Sequence, residues 1–246
     1  MIELKNLTKK YGDFQAVNNL NLSVKKGEIF GFIGPNGAGK TTTIKMMGGI
    51  LEPTAGTVTI AGINMQEEPQ NAKSKIGFIP DRPYLYEKLT GMEFLKFTAD
   101  LYGVSAEAFQ SKALEILKNF SLDNWAHELI ESYSHGMKQR LIMSAALLHD
   151  PEVIIVDEPM VGLDPAAIIM VKDLFKLLAA QGVTIFMSTH TLKVAEDTCD
   201  RIGVINKGRL IAMGTTQELQ REAHVTETDL ERVFLNLTSE PSSLQN

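Results

Sequence analysis

The chain has 246 residues, a formal net charge of -6, 44% hydrophobic residues and a single cysteine, Cys199. That length supports an α/β body with a mid-sized core, and one thiol excludes an internal disulfide framework. The acidic balance argues against a general nucleic-acid footprint. The opening MIELKNLTKKYG lacks a secretory apolar region, and no apolar run reaches the roughly 18 to 20 residues of a spanning helix, so a soluble cytosolic protein is expected.

In chain order, IELKNL and FQAVNNLNLSV alternate in the manner of a half-buried sheet, and EIFGFI and TVTIAG read as further strands. Residues 1–83 are therefore expected to hold an N-terminal β layer together with the first, phosphate-loop part of the α/β core. Strand signals stop over 84–150, where helical patterns begin with a capping box from Thr90 to Glu93. The apolar strands VIIVD (153–157), VTIFMST (183–189) and RIGVIN (201–206) are continuous, as buried parallel strands should be, so 151–214 returns to an α/β body around a helical insert. Over 215–246 a second capping box, Thr228 to Glu231, precedes a stripe of Leu230, Val233, Phe234 and Leu237 and a polar end.

GPNGAGKT, residues 34–41, fits the phosphate-loop pattern and lies between a strand and a helix, as that pattern requires. Glycines 34, 37 and 39 let backbone N–H groups turn inward around phosphates, Lys40 reaches the β- and γ-phosphates, and the Thr41 hydroxyl ligates Mg²⁺. VIIVDEP ends a buried strand in two adjacent carboxylates at the edge where open α/β sheets bind ligands. Because adjacent strand residues point opposite ways, Asp157 is expected to hold the Mg²⁺ shell while Glu158, just beyond the strand, faces an attacking water as general base or water-orienting group. His190 closes the next strand at the same edge and suits a hydrogen bond to the γ-phosphate.

SYSHGMKQR (132–140) runs directly into a helical pattern and forms a second helix start suited to an anion, with Lys138 and Arg140 adding attraction. The alternative is that Ser134 simply caps the helix. Tyr84, Leu85, Tyr86 and Phe94 are either a docking surface or core of the insert.

Taken together, these motifs resemble those of the nucleotide-binding subunits of ABC transporters over nearly the whole chain. Tyr11 matches the family's adenine-stacking aromatic, GPNGAGKTT (Gly34, Pro35, Asn36, Gly37, Ala38, Gly39, Lys40, Thr41 and Thr42) its Walker A, and VIIVDEP its Walker B with the catalytic glutamate. GLD, ending at Asp164, matches the D-loop, and His190 matches the switch histidine. Asp164 before Pro165 also reads as a helix cap.

The signature LSGGQ appears as Tyr133, Ser134, His135, Gly136 and Met137, and the resemblance implies that Ser134 and Gly136 bind ATP held by an opposite subunit. Asp81 stands where the family usually has a glutamine near the metal; it also reads as the start of a DRP turn.

The implied fold class is α/β: a P-loop NTPase (RecA-like) core with an N-terminal antiparallel β layer and a helical insert. The implied activity is ATP hydrolysis with ATP and Mg²⁺ as cofactors and Lys40, Glu158 and His190 as catalytic residues. A second nucleotide-binding subunit and integral membrane permease subunits are the implied partners, with the chain peripheral on the inner face of the cell membrane and no nucleic acid. The single-domain length, the YSxGM form of the signature and the non-glutamine residue Asp81 look most like the exporter branch, in which the membrane protein is a separate chain. The competing readings are a soluble ABC ATPase acting on nucleic acid or ribosomes, and a P-loop phosphotransferase.

Overall fold

The computed structural model describes residues 1–82, 84–222, 232 and 234–236. Strands β1 (Ile2–Tyr11) and β2 (Phe14–Val24) form an antiparallel hairpin, and β4 (Ala55–Ile60) with β5 (Ile63–Asn64) completes a sheet of order β2-β1-β4-β5. The alternation seen in the sequence turns Ile2, Leu4, Leu20, Leu22 and Val24 inward. The register shifts after Leu4, where Asn6 adopts φ 51° and its N–H donates to Asn21 Oδ1 at 2.9 Å. Asparagine tolerates that left-handed geometry better than most residues.

The second sheet has the order β10-β9-β3-β8-β7-β6. It comprises β3 (Ile29–Ile33), β6 (Ile76–Ile79), β7 (Val153–Asp157), β8 (Thr184–Thr189), β9 (Arg201–Asn206) and β10 (Arg209–Gly214). All pairings are parallel except that of β10, an antiparallel edge. Two strands of this sheet went unread in the sequence, as did the two-residue β5 of the first: β6 is four residues without a period, and β10 is a half-exposed edge strand. Phe30, Phe32 and Phe186 meet inside this sheet at ring distances of 5.6 and 5.3 Å, and the N-terminal layer with α1 (Lys40–Met47) packs over them.

The opposite face is covered by the helical insert, α3 (Gly91–Leu101), α4 (Ala106–Asn119) and α5 (His135–Leu147), and by α6 (Pro165–Ala180). The Thr90 capping box is present: Thr90 Oγ1 accepts from the Glu93 N–H at 3.2 Å, and Glu93 Oε2 accepts from the Thr90 N–H at 2.8 Å. A short α2 (Pro69–Ser74) precedes β6, α7 (Leu192–Thr198) links β8 to β9, and α8 (Thr216–Glu222) follows β10. The start of α8 carries an unread capping box, Thr215 with Glu218. Thr228, Glu231, Leu230, Val233 and Leu237 lie outside the described residues, whereas Phe234 packs against the cluster that contains Ile33, Ile202 and Leu219. Among the described residues no helix is long and apolar enough to cross a membrane.

His149 joins the insert to the sheet. Its ring stacks on Tyr102 at 3.7 Å, and its Nε2 lies 3.0 Å from the Ile76 carbonyl. A carbonyl only accepts, so Nε2 carries the proton and Nδ1 is bare, buried and unpartnered. Burial lowers the His149 pKa, outweighing the Ile76 bond and Asp150, which raise it; Lys112 lowers it further. The unfolded chain takes up a proton as pH falls through about 6.5, while the folded chain resists it until lower pH, so stability is lost on acidification. The urea midpoint is expected to fall between pH 7.5 and 5.5, and to fall less in His149→Asn. Equal slopes in the two proteins would refute the assignment.

Candidate active site

The loop from Gly34 to Gly39 is packed too closely to accept other residues at two of its glycines. A Cβ on Gly34 would lie 2.3 Å from the Ile205 carbonyl oxygen, and one on Gly39, at φ 107°, would lie 2.5 Å from that of Ala16. Gly37 has open space but needs its left-handed φ of 79°. The loop is also seated from far along the chain: the Gly208 N–H donates to Ala38 O at 2.9 Å, and Gly208 O accepts from the Asn18 N–H at 2.8 Å. Backbone N–H groups at the start of α1 are thereby presented to an anion, beside Lys40. Lys40 Nζ is buried and donates to the carbonyls of Gly34 at 2.6 Å and Pro35 at 3.2 Å. Burial lowers its pKa, against the upward pull of Glu158 and Asp157.

The strand ends are level at this edge, with Ile33 beside Thr189 and Asp157 beside Ser188. Asp157 is buried; Oδ2 accepts from Thr41 Oγ1 at 3.0 Å, and Oδ1 accepts from Ser188 Oγ. Burial raises its pKa, the two hydroxyl bonds pull it down, and Asp81 and Glu158 push it up again. The expected strand alternation does not separate the two carboxylates, because β7 ends at Asp157 and Glu158 takes a left-handed φ of 52°. That costs a non-glycine residue on the order of 1 to 2 kcal/mol, and it turns Glu158 toward the end of β8. There Glu158 Oε1 accepts from the His190 N–H at 3.0 Å and lies 2.7 Å from its Nδ1, while Oε2 accepts from Thr189 Oγ1 at 3.1 Å.

One cleft of about 420 Å³ gathers Asn36, Gly37, Gly39, Lys40, Thr41, Thr42, Asp81, Asp157, Glu158, His190 and Tyr11. Phe14 and Ala16 also line it and were not anticipated. Phe14 faces Tyr11 across the β1–β2 hairpin, and both rings are at least half exposed at the cleft's rim. The available signal was an aromatic three residues beyond Tyr11, across a Gly-Asp turn.

Ser134, Gly136 and Asp164 are not among the residues lining this cleft. Ser134 caps α5, its Oγ accepting from the Met137 N–H at 3.3 Å, and Asp164 caps α6, accepting from the Ala167 N–H at 2.8 Å. The cations expected to attract an anion have protein partners. Lys138 pairs with Glu87, and Arg140 donates to the carbonyls of Phe120 at 2.7 Å and Gly136 at 3.4 Å. The aromatic group divides: Phe94 is core, Leu85 packs partly against it, and Tyr84 and Tyr86 are exposed beside Glu87 and Lys138.

The sequence profile of the family described as "ABC transporter" matches residues 17–161. The chain is 40% identical over 219 residues to the linearmycin resistance ATP-binding protein LnrL of Bacillus subtilis, covering 89% of this chain and 70% of that one. It is 38% identical over 244 residues to the probable multidrug ABC transporter ATP-binding protein YbhF of Escherichia coli, covering 96% of this chain but only 41% of YbhF.

Among solved structures, the ATP-binding subunit of an ABC transporter superposes with a TM-score of 0.92 at 33% identity, over 97% of this chain and all of that one. The dimeric, post-hydrolysis cassette MJ0796, bound to ADP and Pi, superposes at 0.77 with 30% identity, over 87% and 98%. With this fold, this phosphate loop and these relatives, the chain belongs to the ABC transporter family as an ATP-binding, ATP-hydrolysing cassette.

Proposed function

We propose that the chain closes with a second copy or a close paralogue over two Mg-ATP, and that hydrolysis drives export through separate membrane subunits at the inner face of the membrane. The observation that carries this reading is the division of phosphate-suited elements: Lys40 and Thr41 line the cleft, whereas Ser134 and Gly136 do not. A helix start that cannot serve its own cleft fits one that serves a partner's. Cassettes solved as dimers support the assembly. The names of LnrL and YbhF, linked to linearmycin resistance and multidrug transport, favour export over import. Exposed Tyr84 and Tyr86 supply an aromatic surface for the membrane subunits. The net charge of -6 gives no support to a nucleic-acid partner.

In this reading Gly34, Pro35, Asn36, Gly37, Ala38, Gly39 and Thr42 wrap the phosphates, Lys40 pairs with the β- and γ-phosphates, and Tyr11 and Phe14 hold the base. Thr41, Asp157 and Asp81 form an oxygen-rich set suited to Mg²⁺; burial is the main cause of the raised pKa of Asp157, and the neighbouring carboxylates of Asp81 and Glu158 add to it. Among the described residues no three acidic, histidine or cysteine side chains form an ion site alone, so a cation here also needs phosphate oxygens and water. Mg²⁺, when bound, neutralises charge on the β- and γ-phosphates.

Glu158 accepts a proton from the attacking water as the bond to the γ-phosphorus forms and the β–γ bridge breaks. The His190 and Thr189 bonds fix its carboxylate. A carboxylate only accepts, so His190 Nδ1 carries the proton in that pair; contact from Nε2 to a phosphate oxygen then needs a second proton. Asp164, at the start of α6, belongs to the dimer surface.

Glu158→Gln is expected to bind ATP, to lose about 10²- to 10⁴-fold in turnover and to elute as a dimer with ATP. Persistent elution as a monomer would count heavily against the shared sites. Ser134→Arg is expected to abolish turnover with the monomer's ATP affinity unchanged; equal loss of monomer binding would put Ser134 in its own cleft. Tyr11→Ala and Phe14→Ala should each weaken ATP binding by about 1 to 3 kcal/mol. Neither should alter binding of inorganic tripolyphosphate, which has no base; a parallel loss there would mean that the rings shape the loop instead.

A further inference from the structure

His135 is the first residue of α5 and stands beside Ser134, yet neither the cleft nor the cap employs it. Its imidazole lies close against Gly162. A Cβ on Gly162 would sit 2.2 Å from His135 Cδ2 and 2.7 Å from Nε2, so no side chain fits while the ring is there. Gly162 also has a φ of 77°. Gly136 closes on the same stretch, since its own Cβ would lie 3.2 Å from the Gly162 carbonyl oxygen and 3.8 Å from Leu163 Cδ2.

The segment under this contact runs from Glu158 to Asp164. It is fixed at one end by the Glu158 carboxylate on Thr189 and His190, and at the other by Asp164 as the cap of α6. Between them, Met160 and Leu163 pack partly against the core, while Val161 and Gly162 are exposed. Only two long turn bonds close the middle, Val161 N–H to Glu158 O at 3.2 Å and Leu163 N–H to Met160 O at 3.3 Å. Glu158 itself holds a left-handed backbone at the head of this turn. A shift at Gly162 is therefore carried to the Glu158 peptide through two linked turns.

We infer that His135 is a positioning residue: by packing on Gly162 it holds the 158–164 turn, and so ties the start of α5 to the carboxylate that takes the proton. The link to turnover rests on the role given to Glu158 above.

A double-mutant cycle on the purified full chain tests the contact, with ATP turnover, ATP affinity and thermal melting measured for each variant. Gly162→Ala is expected to lower kcat about tenfold or more with little change in KM, because the loop that holds ATP is elsewhere. In the His135→Gly background the same change should cost much less, with the double variant turning over about as fast as His135→Gly alone. His135→Phe, which keeps a flat ring over Gly162, should retain kcat, whereas His135→Gly should lose it.

Strictly additive losses, a loss in KM rather than kcat, or failure of His135→Phe to retain turnover would each overturn the inference. If Gly162→Ala does not fold, the pair His135→Phe and His135→Gly decides alone. The Glu158→Gln variant separates this from the shared-site reading. No ATP-dependent dimer there removes the shared sites, whereas a dimer combined with an additive cycle removes only the role of His135.

Discussion

The buried carboxylate of Asp157 is the point on which three elements must agree. It ends β7, takes a hydrogen bond from Thr41 on α1 and takes another from Ser188 on β8. A carboxylate out of water is costly unless its oxygens are satisfied, by several kcal/mol even after relaxation. The two hydroxyls therefore fix the spacing of the phosphate loop, the acidic strand end and the neighbouring strand. Burial pushes its pKa upward and the nearby carboxylates of Asp81 and Glu158 add to the rise, negative charge that Lys40 offsets only in part. An anion-binding loop and a cation-seeking carboxylate sit side by side, an arrangement suited to a ligand that brings both signs, as a metal–nucleotide complex does.

Much of the fold and most of the cleft were legible in the sequence because their signals are local. The phosphate loop needs only eight consecutive residues, Asp157 needs only the apolar run before it, and the Thr90 capping box spans four positions. What stayed hidden depends on contacts between distant residues or on backbone that leaves its expected path. Lys138 and Arg140 looked like bait for an anion, but Glu87 and the Phe120 carbonyl, far away in sequence, already hold them. Phe14 was passed over because irregular pairing between β1 and β2 keeps an apparently inward-phased residue exposed at the rim. The left-handed turn at Glu158 has no residue-type signature at all.

The two helix starts show how one local device serves different ends. Ser134 and Asp164 both make ordinary N-caps, worth about 1 kcal/mol apiece, and both stand away from the cleft of their own chain. Capping and ligand binding are not exclusive, since a cap occupies one or two N–H groups and leaves others free. The choice between the two readings at Ser134 thus turns on what faces the helix, not on the helix.

The Gly208 turn between β9 and β10 has a consequence for when the protein acquires its chemistry. Gly208 is bonded both to Ala38 in the phosphate loop and to Asn18 in the N-terminal layer, and the Ile205 carbonyl presses on Gly34. The phosphate loop is synthesised well before the surface that shapes it, which arrives some 170 residues later (208 − 38). Non-local contacts of this span form late in folding. A nascent chain emerging from the ribosome would carry the whole motif without its mould, so nucleotide binding waits for residues 205–208 and does not belong to the segment that bears its signature.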